Sequence, residues 1–472
     1  MARRHAALIG LAASLAGCGG PSPKTTLLAA TPLTGESVLR LPHGGGTATL
    51  LRAALHSAID YRISGVPSIR RTLTASLEDK TVYAVDTLGR LINLDLLAGR
   101  CCTLTVRAHG FTGTPSGEVF GFDSTRKAIR LSNRVLKTYR AAVIGGDVSL
   151  MRGPGNQVIV LASGAGIAQI IGDDGELRRI RIPAGEVSGT WYGDLFTVVT
   201  PSGLQLIDPT GKKSPQAIAI RGTPLHAAFS PSGHRIYIAR ERNDVLQLDR
   251  FTYEDLGALT LPGVVSALRV DRTGRWLLAR AGKSDSFWVI DATTWKLAQT
   301  VQAPWGEDLP TITAGQNLLI RRGKDVVTID LSTPQATEIA RLTGAASDLF
   351  LPLAWVPKSA GLEAAPQVAA TAIPAGTSRD SAAPPPQAAA PASGTETGFF
   401  IQISSSQNQD WAKALAQQLK EGGYPARVLS PDAPDQGFRV VVGPYPSRDE
   451  ADAAGKRLGR SYFIIPAGTG GN

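Results

Sequence analysis

A signal repeated about every forty residues restricts the fold of this 472-residue chain more than any other feature. Turn pairs ahead of an apolar strand stand at Glu78-Asp79, Ser116-Gly117, Pro154-Gly155, Tyr192-Gly193, Ser232-Gly233, Thr273-Gly274 and Ala314-Gly315, spaced by 38, 38, 38, 40, 41 and 41 residues. A second marker keeps the same period: an apolar residue closes the next strand, often with Asp after it. Examples are Leu94-Asp95, Ile207-Asp208, Leu248-Asp249, Ile290-Asp291 and Ile329-Asp330. That Asp reads as a turn-forming residue rather than a catalytic carboxylate.

Residues 225–263 display one repeat. LHAAFS is a short apolar strand, Pro231-Ser232-Gly233 a tight turn, and HRIYIA, DVLQLD and GALTLPG follow as further strands. Four short strands without an amphipathic helix predict β-propeller blades; a β-helix needs a shorter repeat and an αβ solenoid needs helices. The repeats resemble YVTN- and WD40-like propellers of bacterial envelopes, though no Trp-Asp signature ends the strands, and the resemblance implies architecture alone. Seven repeats cover 65–344. Residues 36–64, with Ile59-Asp60 at the marker phase, read as a degraded eighth blade. SDLFLPLAW (347–355) reads as an innermost strand that closes the ring against the N-terminal strands and removes an exposed edge. The expectation is an all-β seven- or eight-bladed propeller over 36–357, with eight favoured.

The chain opens MARRHAALIGLAASLAGCGG. Arg3 and Arg4 precede an apolar stretch from Ala6 to Ala16, too short to span a bilayer, and no run of 18 apolar residues occurs anywhere. Leu15-Ala16-Gly17-Cys18 resembles a bacterial lipobox, which implies a signal peptide over 1–17, lipidation of Cys18 and a tether over 18–35. Two or more acyl chains hold a protein firmly to a membrane. In that family pattern, Gly19 in place of Asp favours the outer membrane. The formal charge of +10 would otherwise raise nucleic acid as a partner. Export excludes it, and nearly all of the surplus sits on residues 18–357, facing anionic headgroups, wall polymers or an acidic partner.

The repeats carry no catalytic, metal or cofactor signature. His43, His56, His109, His226 and His234 follow no metal-ligand spacing, and no GxSxG, HExxH or EF-hand loop occurs. Gly164-Ala165-Gly166 reads as a turn within a blade, because no helix follows to receive a phosphate. Cys101-Cys102 admit a vicinal disulfide or an intermolecular pair, but strand alternation favours two small fillers on opposite faces.

Residues 358–397 change composition to Pro and Ala with no aromatic and few charges, a linker that cannot bury enough surface to fold. It would reach roughly 120 Å extended and about 35 Å as a coil. Residues 398–467 recover globular patterning in the order βαββαβ, a small α+β, ferredoxin-like fold. FFIQIS is a strand, and Trp411, Ala412, Leu415, Ala416 and Leu419 form a helical stripe. PARVLS and GFRVVVG are strands, Ser447-Arg448-Asp449-Glu450 is a capping box, and SYFIIP is the last strand. FFIQIS, the Gly-Gly-Tyr-Pro turn and FRVVVGPYPSRDEA resemble the SPOR domain, with SSS (404–406) departing from its usual glycine-containing turn. The resemblance implies binding to peptidoglycan glycan strands stripped of their stem peptides. An RNA-reading fold shares the topology, but the sheet lacks the aromatic strand of such readers.

Strand parity turns Ile401, Ile403, Val440 and Val442 toward the helices. It leaves Phe400, Gln402, Ser404, Arg439 and Val441 on the open side, with Tyr445 near it. Gln402 and Ser404 offer hydrogen bonds to hydroxyls and acetamides, Arg439 a bidentate partner for a lactyl carboxylate, and Phe400 and Tyr445 stacking surfaces. Arg439 reads equally as a solvated edge charge, and Tyr445 as a core lid.

Three functions fit. The first is a non-catalytic lipoprotein, anchored in the outer membrane, that binds denuded peptidoglycan and presents its propeller to an envelope or division protein at the septum. The second is a propeller enzyme, a lactonase-like hydrolase or cell-wall-modifying enzyme. The third is a sensor whose propeller binds a soluble ligand.

Overall fold

A computed structural model describes residues 36–355 and 398–466, apart from residues 53, 55–57, 77–79, 107–108, 115–116, 133, 143, 145–147, 283, 314, 334–335, 354, 407–408, 422, 431–437 and 459–461. Cys18, His56 and the segment 358–397 lie outside the described residues. The strands from Ser37 to Leu353 pair into four-stranded antiparallel sheets taken consecutively from the chain, the fourth strand of one leading to the first of the next. One sheet breaks the sequence order. It joins Ala58–Val66, Gly46–Arg52 and Ser37–Leu41 to Leu349–Leu353 from the far end of the chain. This closing strand lies in the SDLFLPLAW segment, as expected, and pairs Leu39 with Leu351.

The repeat markers have a physical origin in these sheets. Gly193, Gly233 and Gly274 donate their amides to Thr190, Ser230 and Asp271 carbonyls and hold φ values of 71°, 73° and 77°. A residue with a Cβ takes that left-handed backbone at a cost, so glycine recurs there. The Asp markers cap the following turn. Asp95 Oδ1 accepts the Leu97 and Ala98 amides, Asp249 Oδ1 accepts Phe251, Asp291 Oδ1 accepts Thr293 and Asp330 Oδ1 accepts Ser332.

Second and third strands, such as Arg235–Arg240 and Asp244–Asp249, are buried almost throughout, whereas fourth strands such as Asp255–Thr260 are largely exposed. Side chains from neighbouring sheets interdigitate: Phe287, Val289 and Trp276 of one pack with Leu318, Ile320 and Val327 of the next. Cys101 and Cys102 depart from the expectation of two fillers on opposite faces. Their pairing with the neighbouring strand shifts register between Ile92 and Leu94, Cys102 takes φ 67°, and the two sulfurs are bonded to each other. A register shift suspends alternation, which is why the parity rule fails there.

The C-terminal sheet runs in the order Ala426–Leu429, Phe438–Tyr445, Phe399–Ser406, Phe463–Pro466, all pairs antiparallel. The helices Gln409–Glu421 and Arg448–Leu458 pack on one face through Ala412, Leu415, Ala416, Leu419, Ala451 and Ala454. The second helix is capped by Ser447, whose Oγ accepts the Glu450 amide at 3.2 Å, and Asp449 and Glu450 occupy its first turn.

Candidate functional site

The helix-free face of the C-terminal sheet is built by alternation. Ile401, Ile403, Val440 and Val442 join the core beneath the helices. Phe400, Gln402 and Val441 therefore point the other way, as does Arg427, which lies between the core residues Ala426 and Val428. Register aligns Arg427, Val441 and Gln402 in one row across three strands. The Arg427 guanidinium carbon stands 4.5 Å from the centroid of the Phe400 ring, a cation–π contact.

Phe400 is 3% exposed and Val441 0%, so in this arrangement neither presents a free surface to a ligand. Gln402 is half-buried, and its Nε2 donates to His234 Nε2 in the propeller-like region at 2.9 Å. Arg439 is half-buried opposite Leu429. Tyr445 is half-buried and packs with the helix-side core, the lid alternative. The side chain of Ser404 lies outside the described residues. Sequence reasoning did not single out Arg427, although the parity rule applied to PARVLS finds it.

His234 follows the marker glycine Gly233 and is 3% exposed. Burial and the nearby Arg250 guanidinium lower its pKa to about 3, against an opposing effect of Asp249. The ring is therefore neutral, as an Nε2 acceptor requires. Its neighbours are Phe251, edge-on at 5.5 Å, and Arg250, which pairs with Asp194 at 2.5 Å.

Two further features lie among the sheets. His226 Nδ1 pairs with the Glu186 carboxylate, both part-exposed and 40 residues apart, one repeat period. Their offset is a signal that position-by-position reading misses. A cleft of about 490 Å³ lies along the first sheet, lined by Thr47, Thr49, Ala58, Ile59, Asp60, Arg62 and Ser64. Among the described residues, no group of three or more His, Cys, Asp or Glu side chains is placed to hold a metal.

Residues 395–463 match the SPOR domain family. The fold resembles that of AztD from Citrobacter koseri in two structures. The apo form gives TM-score 0.50 and 12% identity, covering 68% of this chain and 99% of that one; the other gives 0.51 and 11%, covering 67% and 97%. It also resembles dihydro-heme d1 dehydrogenase NirN in complex with DHE, with TM-score 0.50 and 14% identity, covering 68% and 76%. At these identities the likeness is one of fold, a propeller-like array of four-stranded sheets. No curated protein matches the chain. The protein thus joins a propeller-like β domain to a SPOR domain, the mark of a peptidoglycan-binding protein of the cell envelope. Among the described residues no helix is long and apolar enough to cross a membrane.

Proposed function

We propose that this chain is a non-catalytic tether and scaffold. Cys18 carries the lipid that fixes it to the outer membrane, and the sheets of 37–353 act as eight blades of one ring. The SPOR domain holds that ring on glycan strands stripped of stem peptides, enriched at the division septum. The observation that carries the reading is the SPOR match at 395–463. It is supported by an open-side row of Gln402 and Arg427 beside Phe400. Amide, guanidinium and aromatic groups together suit sugar hydroxyls, acetamides, a lactyl carboxylate and sugar faces. The ring would serve as a docking surface for an envelope or division protein, its basic surplus favouring an acidic partner.

Co-sedimentation with sacculi tests this. The full chain is expected in the pellet with amidase-treated sacculi and in the supernatant with untreated ones, and a fluorescent fusion is expected at septa. Equal retention on both sacculi together with uniform envelope fluorescence would sink the reading.

One observation favours a propeller enzyme as the second reading. A carboxylate orienting an imidazole, as Glu186 does His226, is the arrangement of a general base. If hydrolysis of a lactone panel by the full chain disappears in Glu186→Gln, that reading gains; no turnover by the wild-type chain removes it.

A further inference from the structure

The helix-free face of a four-stranded sheet is wet unless something lies over it. Val441, at 0% exposure, sits in the middle of this face. Gln402 and Arg427 flank it in the row, and the Arg427 side chain reaches across the middle strand to stack on Phe400, covering part of the face from within the sheet. Phe400, on the adjacent central strand, is 3% exposed. The direct bond that leaves this row ends on the propeller-like domain, from Gln402 Nε2 to His234 Nε2 at 2.9 Å.

The other partner of that bond tells the same story. His234 occupies a surface turn between the strands Pro224–Phe229 and Arg235–Arg240. Residues at the same place after the marker position in other sheets range from exposed Asn156 through half-buried Asp194, Arg275 and Gln316 to buried Glu118, which Arg130 and Arg152 hold. His234 is buried. Phe251 of the same sheet lies edge-on to the ring, and the Gln402 amide of the C-terminal sheet reaches its Nε2.

We infer that the helix-free face of the SPOR domain docks on the His234 turn of its own propeller, so that the propeller and a glycan strand compete for one face. The inference rests on the reading of that face as the glycan site. The occupant of the turn is this chain's residues 399–466, and the two surfaces match in kind. A neutral imidazole accepts from an amide; the Phe251 ring lies beside the imidazole on the propeller surface, and the sheet surface carries the Phe400–Arg427 stack. Both surfaces belong to one chain, so their contact is intramolecular and a weak one suffices to keep the face covered. Glycan affinity is then reduced by the fraction of molecules in which the face is free, roughly tenfold if nine in ten are docked. Protein tethered away from stripped glycan stays closed, and dense local glycan opens it.

The test uses the full chain with Gln402→Cys and His234→Cys and a short, cleavable bismaleimide. A second pair, Gln402→Cys with Phe251→Cys, guards against local misfolding, because Phe251 is a surface residue at 43% exposure. The expected result is an intramolecular crosslink in free protein, suppressed several-fold by denuded glycan strands. Crosslinked protein should lose retention on amidase-treated sacculi and recover it when the linker is cleaved. Absence of an intramolecular crosslink in both pairs would overturn the inference. So would a crosslink indifferent to glycan in a protein that pellets with stripped sacculi. A crosslink that forms in a protein that never binds stripped sacculi would support the docking while removing the glycan reading, so the two failures are distinguishable.

Discussion

Replacing Asp308 with Ala should loosen the ring at its closure by about 4 kcal/mol. Asp308 lies between the strands Lys296–Gln302 and Thr311–Ile312, with its side chain 5% exposed. Its two oxygens accept from Arg321 Nη1 at 2.9 Å and Nη2 at 2.8 Å, and Oδ2 also accepts the Phe350 amide of the closing strand at 3.0 Å. Arg321 in turn donates to the carbonyls of Ala346 at 2.7 Å and Asp348 at 2.9 Å. The Asp348 carboxylate then accepts Arg40 Nε at 2.6 Å from the first strand. One polar strap thus runs from the last sequential sheet through the closing strand to the N-terminal strand. Breaking a buried ion pair by deleting one partner costs about 3–5 kcal/mol. Arg321 keeps two carbonyl acceptors and 16% exposure, which places it at the lower end. The orphaned Phe350 amide adds roughly 1 kcal/mol. Urea unfolding followed by tryptophan fluorescence reads the loss. Glu307→Ala, an exposed neighbour, should stay within about 0.5 kcal/mol of the parent chain. A loss under about 1 kcal/mol for Asp308→Ala, or additivity with Arg321→Met in a double-mutant cycle, would refute the strap.

Three further outcomes follow from the same contacts. The His234 pKa in the fold, about 3, lies below its unfolded value near 6.5, so the fold binds fewer protons; its contribution is complete above pH 6.5 and is lost as pH falls toward 3, by up to about 1.4 kcal/mol per pH unit. Its Cε1–H resonance should not move between pH 5 and 8, and a midpoint near 6.5 would contradict the burial. Gly193→Ala should destabilise by about 2 kcal/mol or more, because a Cβ there would stand 2.4 Å from the Arg152 carbonyl oxygen at φ 71°; an unchanged urea midpoint would show that the turn relaxes freely. Cys101 and Cys102 should take iodoacetamide only after reduction by a dithiol, when peptide mass spectrometry finds two carbamidomethyl groups; alkylation of both in unreduced native protein would show that the bond is absent.

The repeat was legible because its two markers are backbone requirements. A turn that closes at Gly233 or Gly274 with positive φ excludes most side chains, and a carboxylate two residues ahead of a free amide, as at Asp249 and Asp291, supplies the acceptor the turn lacks. Requirements of that kind recur wherever the turn recurs, whatever the rest of the repeat contains. The closing strand was legible for a related reason: an apolar strand without sequential partners, Leu349–Leu353, has one unpaired edge available to it, the Ser37–Leu41 strand. Cys101-Cys102 marks where the reasoning stops. Alternation is a property of regular pairing, and the register shift opposite Ile92 to Leu94 leaves no trace in the composition of RCCTLTV.

The site divides along the same line. Parity within one sheet depends on the pleat alone, so the faces of Ile401 against Gln402 and of Val440 against Val441 follow from residue type and order. Whether an outward face is wet depends on what another domain places over it, and no local period encodes that. Phe400 and Val441 are apolar on a face that a sheet of this topology would show to water. Those two residues were the available sign that the face has an occupant, since an outward Val or Phe costs roughly 1.5–3 kcal/mol of burial left unclaimed. A stacking surface for sugar explains Phe400 and leaves Val441 without a purpose. A docked propeller turn would cover both, alongside the Arg427 side chain that already stacks on Phe400.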